Sequence, residues 1–514
     1  LDWTVPTELR RDTLLMAKVF NPNLPGGFSL ENLARCAGGA LKTGFDKEKF
    51  DWGFTEEMGS YCLDDNDALN DVYLWLLNQL AKIRTDMSLD WLLMEQEVRR
   101  RTDVQESNGF KLNVPKTEEL YSDLSSRMHS ITATLHEAFP PIVTERYSEK
   151  QVDKATGKPK RLKDHVEEFN PGSRLQIAKR LETLGVKWTK FTEKTEKGGG
   201  GNVVVDEKTL KPWASKIPEA QLVLDYLTTQ KRQSQVASWL KAVKEDGRVY
   251  GRVDTRGAVT SRMTHSAPNM AQVTKGELTR GVWTVEDGNV LVGVDASGLE
   301  LRMLAHYMND PDYINEVLYG DIHWTNVLAL GLVPAGTLRD DHNSEHEAAR
   351  DKAKTFIYAF LYGAGDAKIG SIIGGGSAAG KRLKEQFLAN TPALLDLREK
   401  IGRMAKQGHI PALDGRRLRI RHQHAALNTL LQGGGAIVMK RGLCIGARRL
   451  DDSPASYQVV AQVHDEIQTE TPRRFGSFVG DCFVQGIREA GEYYDMRIAL
   501  DGEAKIGQTW AETH

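Results

Sequence analysis

Apolar positions in this chain follow a helical period first and a mixed pattern later. Helical spacing runs from Asp67 to Leu80, where Leu69, Val72, Leu74, Leu77 and Leu80 form apolar faces. It returns from Trp91, over Thr117 to Phe139, and over Leu175 to Leu184. Phe28-Ser-Leu-Glu reads as the capped start of a further helix. From about 241 onward strand and helix signals alternate. Strands are predicted at 248–253, 290–295, 457–464 and 466–470. Helices are predicted at 298–308, 345–363, 379–389, 391–406, 424–443 and 475–490. No internal repeat is evident.

Two of the strands end in an aspartate. Val290-Leu-Val-Gly-Val is a buried-strand pattern, and Asp295 closes it just before a helix. Taken alone, such a residue is more often a helix N-cap than a ligand. Tyr457 to Val463 and Ile467 to Thr469 read as two strands joined by a tight turn, with His464, Asp465 and Glu466 at its tip. A polar tip is common, but these acids are held by apolar strands on both sides. Two carboxylates brought together repel, and a divalent cation between them resolves the conflict.

The segment Arg350 to Gly363 carries Arg350, Lys354, Tyr358 and Tyr362 at steps of four. Each step advances about 400°, so successive residues drift only about 40° and share one face. By itself this could be a surface helix with aromatic residues at its core edge. It also suits a nucleoside triphosphate, with cations for the phosphates and an aromatic for the base or sugar.

Composition narrows the setting. The chain has 514 residues, 40% hydrophobic and 27% charged, enough for several buried cores. No apolar run reaches the roughly 18 residues of a membrane span, and the first residues do not read as a signal peptide. A cytoplasmic location is expected. The four cysteines are scattered without a C-x-x-C pair, so neither zinc nor a disulfide framework is expected. The net charge of −2 gives no global sign of nucleic acid, but Arg146 to Lys163 concentrates seven cations against four acids in and beside it. That stretch reads either as a solvated loop or as a contact for backbone phosphate. The glycine triplets 374–376 and 433–435 lack the G-K-[ST] ending of a P-loop.

Three segments together resemble the family A DNA polymerases, the class of bacterial DNA polymerase I. Asp295, Ser297, Glu300, Leu301 and Arg302 match its first motif. Arg350, Lys354, Tyr358, Tyr362 and Gly363 match the second, and His464-Asp-Glu466 matches the third. Gly320-Asp-Ile-His323, His424 to Gln432 and Gly507-Gln-Thr-Trp510 resemble in particular the replicative polymerases of short-tailed bacteriophages. The likeness is strong from about 240 to the end and weak before it.

The resemblance implies an α+β, multidomain right hand of thumb, palm and fingers. It divides the chain into a 3′–5′ exonuclease-like remnant (1–85), thumb (86–240), palm (241–310), fingers (311–423) and palm again (424–514). It implies template-directed DNA synthesis with two Mg²⁺ ions, for which Mn²⁺ could substitute, on Asp295 and Asp465. Glu466 is a further acid beside them. Arg350 and Lys354 would bind the triphosphate, with Lys354 a candidate general acid. His323 would reach the phosphates, Tyr358 the deoxyribose, and Tyr362 the templating base. Glu300 would exclude a ribose 2′-hydroxyl. Arg262, Asn269, Gln272, Asn428, Gln432 and His464 would contact primer–template DNA, reading acceptors common to all base pairs. Tyr358 implies ready acceptance of dideoxynucleotides.

The expected partners are primer–template DNA, dNTPs and other replisome proteins, with phage genome replication the implied setting and no membrane. A thioredoxin-type processivity factor is not expected, because the segment about 140–170 is short. Of the exonuclease ligands only Tyr61-Cys-Leu-Asp-Asp65 has a counterpart, and Asp12 resembles a structural stretch. No proofreading is therefore expected of this chain. The alternatives are a 3′–5′ exonuclease and a non-catalytic primer–template binder.

Overall fold

The computed structural model describes residues 11–21, 24–39, 55–83, 90–152, 157–193 and 201–514. Asp153 and Lys154 of the basic stretch lie outside them. The chain forms two compact units, one of Leu1–Lys111 with Tyr250–His514, the other Leu112–Val249.

The first unit is built on helix α1 (Asp90–Asn108), strand β1 (Asn289–Ala296) and helices α2 (Leu299–Met308), α3 (Ser344–Leu361) and α4 (Pro392–Ala405). A short hairpin follows, β2 (His409–Pro411) and β3 (Arg417–Arg419). Then come α5 (Ala426–Asp451), β4 (Gln458–Val463), β5 (Glu466–Pro472), α6 (Gly476–Tyr493) and β6 (Gly502–Gly507). Strands β4-β5-β1-β6 form one sheet in that order, and every pairing in it is antiparallel. Antiparallel neighbours with separate helices are the mark of an α+β layout.

β1 is central because Val290, Leu291, Val292 and Val294 are buried at 0–3% exposure. One apolar cluster runs from these valines through α2, α3, α4, α5 and α6. α5 and α6 cross at Gly442 and Gly486, where a Cβ on Gly486 would stand 2.4 Å from the Gly442 carbonyl oxygen. Helix α1, grouped with the thumb in the sequence division, packs in this unit. Its Glu95 is fully buried and meets Lys440 Nζ of α5 at 2.9 Å and Arg416 of the hairpin. Burial opposes ionisation of Glu95, but Lys440, Arg416 and Arg256 together bring it down to about 2.

In the second unit, helices Val114–Ala138 and Pro218–Ala242 pack along each other. Asn113 caps the first, and Asp206 with Thr209 forms a capping box on Glu207–Ala214. Leu135, Phe139, Ile177, Leu181, Leu210 and Val223 fill the core. The basic stretch, for which a solvated loop is one of two readings, is not a loop along its length. It is a two-stranded hairpin, Ile142–Val152 with Pro159–Glu167, pairing Val143 with Val166 and Arg146 with Leu162.

The long periodic elements match their predicted bounds closely, as α2, α3, α4 and β1 show, whereas α5 runs eight residues past its predicted end at 443. The strand expected at 248–253 is two short ones, Arg248–Val249 and Arg252–Asp254. Among the described residues no helix is long and apolar enough to cross a membrane, and all four cysteines are unpaired.

Candidate active site

The β4–β5 hairpin closes with Val463 opposite Glu466, leaving His464 and Asp465 as a two-residue loop. His464 has φ +61, the left-handed geometry that fits such a loop to the strand twist. β5 then pairs with β1 so that Glu466 faces Asp295, and the Ala296 amide donates to the Asp465 carbonyl at 3.1 Å. The two aspartates thus stand on neighbouring strand ends of one rigid sheet. Burial, Asp465 and Glu466 push the Asp295 carboxyl up to about 7, against the weaker pull of Lys275 and Lys505. That is the electrostatic signature of carboxylates crowded in a half-dry site.

Glu466, the further acid beside the aspartates, is buried and fully engaged. It is 4% exposed, and both oxygens accept from Arg280 Nη1, at 3.1 and 3.2 Å. Gln468 Nε2 adds a bond at 2.6 Å, Trp510 Nε1 adds another, and His514 Nδ1 lies at 3.0 Å. With its lone pairs occupied, Glu466 is a structural anchor under Asp465. Sequence reasoning missed Arg280 as its partner, although Trp510 stood in a quoted segment.

α3 carries the cations and aromatics on the expected face. Arg350 Nε donates to Asp321 Oδ2 at 2.8 Å, and Arg339 reaches the same oxygen at 2.5 Å. Asp321 also caps the helix Ile322–Ala329 by accepting from the His323 and Trp324 amides. Burial alone would raise Asp321; Arg350, the Trp324 amide and Arg339 instead hold it below its ordinary value. His323 is pushed down by burial and then by Arg350 and Lys354, and its Nδ1 is buried without a hydrogen-bond partner. Its ring lies 6.4 Å from Tyr358. Lys354 is exposed on the same face.

Tyr358 joins the two groups. Its phenol is pushed up by burial, then by Glu300 and Asp465. Tyr362 Oη donates to Glu300 Oε1 at 2.5 Å, with Arg262 3.7 Å from the same oxygen. Glu300 is therefore paired rather than free. α3 can end here because Gly363 takes φ +72, and a Cβ there would meet the His424 carbonyl oxygen at 3.0 Å. Burial and then Arg262 also lower His464.

The remaining candidates lie on two further elements. Asn269 precedes and Gln272 ends a turn (Met270–Gln272) that packs against β4, and Asn269 Oδ1 is buried without a hydrogen-bond partner. Asn428 and Gln432 are half-buried one turn apart on α5. Ala436, the next turn, lines a small pocket together with Arg262 and His464.

Comparison with known proteins agrees with this geometry. The family model for DNA polymerase family A matches residues 143–512. The DNA-directed DNA polymerases of Enterobacteria phage T3 and Escherichia phage T7 are each 33% identical, over 90% of this chain and 77% of theirs. DNA polymerase I of Aquifex aeolicus is 26% identical over 95% of this chain and 82% of its own. The fold is similar to the POL domain of Pol1 from M. smegmatis, solved in complex with DNA primer-template and dNTP. The TM-score is 0.79 and identity 21%, covering 98% of this chain and 82% of that one. Aspartates on adjacent strand ends, a cationic helix with Tyr358 beside them, and a family match over most of the sequence place the chain in DNA polymerase family A.

Proposed function

We propose that this chain is a DNA-directed DNA polymerase that extends a primer 3′-hydroxyl with dNTPs on a DNA template, in the setting of phage genome replication. The observation that carries the proposal is the register placing Asp465 beside Asp295 at the sheet end, within the field of Tyr358 on α3.

The residues suit a hard divalent cation. Burial, then Asp465 and Glu466, raise the Asp295 carboxyl to about 7, and a positive charge beside it would offset that penalty. Among the described residues no group of three or more His, Cys, Asp or Glu side chains qualifies as a self-contained metal site. Mg²⁺ takes few carboxylates and completes its octahedron with water and substrate phosphate. When bound, two such ions would favour the alkoxide of the primer hydroxyl and neutralise charge on the departing pyrophosphate.

The chain's own groups do the positioning. Arg350 and Lys354 present cations one helical turn apart to the triphosphate. Lys354 is exposed and free to hand a proton to the leaving oxygen. His323 adds a ring nitrogen on the same side. Tyr358 lies between these cations and Asp465, where the sugar must pass. Glu300, tied to Tyr362 and Arg262, closes the space a 2′-hydroxyl would fill. Arg262, His464, Asn428 and Gln432, with Asn269 and Gln272, supply polar contacts along the duplex. In this assignment residues 112–249 supply the thumb, and the sheet with α5 and α6 the palm.

Primer extension with Mg²⁺ and four dNTPs tests the proposal, beside Asp465→Asn and an rNTP lane. Full-length product from dNTPs alone, lost in the variant, supports it. Shortening of the primer would replace it with an exonuclease, and duplex binding without extension would leave a binding protein.

A further inference from the structure

The β2–β3 hairpin carries a charge pattern the catalytic site does not use. Residues 417–421 read Arg-Leu-Arg-Ile-Arg. Leu418 and Ile420 turn inward at 1% and 8% exposure, while Arg417, Arg419 and Arg421 are all exposed. The ladder holds this parity: Leu418 pairs with Ile410, Arg419 with His409, and the Ile420 amide donates to the Gly408 carbonyl at 2.9 Å. The base of the hairpin is locked, since buried Arg416 bonds Asp414 at 2.6 Å and meets Glu95. Among the described residues none of the three outward arginines has an ion-pair partner.

A solvated surface normally mixes signs. Here Arg417 and Arg419 stand on one face of β3, about 6.7 Å apart at a strand rise of about 3.3–3.4 Å per residue, and Arg421 follows two residues beyond. That spacing suits successive phosphates of an extended single strand. Just beyond, the exposed rings of His422 and His424 stack, with centroids 5.4 Å apart and planes 7° from parallel. Phosphate cations followed by flat rings are the two elements of a single-strand binding surface. The path has a direction. The His424 carbonyl abuts Gly363, at the end of the helix whose Tyr362 stands at the active site.

We propose that Arg417, Arg419 and Arg421, with His422 and His424, form a track for the unpaired template strand on its way to the active site. This rests on the polymerase assignment above. Its occupant is single-stranded DNA, held by charge and stacking without sequence preference.

The test is fluorescence anisotropy with three labelled DNAs: blunt duplex, a one-nucleotide 5′ overhang, and an overhang of about eight nucleotides, within the usual range of single-strand sites. Wild-type protein should bind the long overhang about tenfold tighter than the short one. Arg417→Gln/Arg419→Gln/Arg421→Gln should lose that gain. Its salt dependence on the long overhang should flatten by about two, from three contacts at about 0.7 each. The triple Arg→Lys variant should restore both, because phosphate contacts need charge and not a guanidinium fork. His422→Ala/His424→Ala should weaken overhang binding without changing the salt slope. A triple Gln variant that keeps the overhang gain would overturn the proposal. Equal weakening on blunt duplex would overturn it too, by making the strip a duplex surface. Extension on the one-nucleotide overhang should proceed normally in every variant; its absence in the wild type would instead sink the polymerase assignment.

Discussion

Replacing Asp465 with Asn should stabilise the metal-free protein at pH 8 while abolishing synthesis. The reason is the carboxyl of Asp295, held up to about 7 by burial, Asp465 and Glu466. An unfolded Asp titrates near 4. Between those values the folded state holds a proton that the unfolded state lacks, so stability falls as pH rises from about 4 to 7 and stays lowered above 7. A shift of about three units would cost about 4 kcal/mol for a sealed group. Asp295 is only half-buried and opens on a crevice, so screening reduces this to about 1–2 kcal/mol. Asp465 is the second cause after burial, and its removal should return about 1 kcal/mol, an increase of about 1–2 °C in melting temperature.

The assay is thermal unfolding of wild type and Asp465→Asn with EDTA, at pH 5 and pH 8. The gain should be present at pH 8 and absent at pH 5, where Asp295 is already protonated. Adding Mg²⁺ at pH 8 should stabilise the wild type, because a cation that binds only the folded pair adds RT ln(1 + [L]/Kd). The variant should respond much less. If it melts no higher than wild type at pH 8 without metal, or gains equally at pH 5, the repulsion between Asp295 and Asp465 is not what strains this site.

Arg280→Met should destabilise the protein by about 3–5 kcal/mol, since it leaves Glu466 charged in a buried place. Arg280→Met/Glu466→Gln should recover at least about 1 kcal/mol of that in urea unfolding, and strict additivity would show the pair uncoupled. Lys440→Met should cost a similar amount by exposing Glu95 to its own burial, with Lys440→Met/Glu95→Gln milder than the single variant; an unchanged unfolding midpoint would contradict the network. Tyr358→Phe should lower ddNTP incorporation relative to dNTP by tenfold to a hundredfold, the worth of about 1.5–3 kcal/mol for one hydrogen bond to a charged phosphate. Competition between ddNTP and dNTP in single-turnover extension measures this, and an unchanged ratio would deny Tyr358 its place at the sugar.

What the sequence reveals here depends on how local the cause is. β1 was legible because four buried aliphatics end abruptly in Asp295, and α3 because four functional residues repeat on its own period. Residues 502–507 escaped notice because four of their six side chains are exposed, which leaves no apolar run to read. The β2–β3 hairpin was missed for its brevity, although Arg-Leu-Arg-Ile-Arg alternates with period two. The described side chains of the basic strands Ile142–Val152 and Pro159–Glu167 are mostly solvent-facing, and their cations resemble those of a loop.

Glu466 shows the harder limit. His464, Asp465 and Glu466 are consecutive, and nothing local separates two acids at a turn. The register does. Asp465 occupies the loop, whereas Glu466 is the first paired residue of β5 and faces the interior. Its partners Arg280 and Trp510 are 186 and 44 residues away along the chain. A one-residue slip would exchange the two acids, placing Asp465 inside and Glu466 at the mouth. The Arg280–Glu466 pair makes that slip expensive, because Asp465, one methylene shorter, would replace the carboxylate that holds the buried Arg280 at 3.1 and 3.2 Å. The same bond that occupies Glu466 therefore fixes which of the two acids stands in the turn.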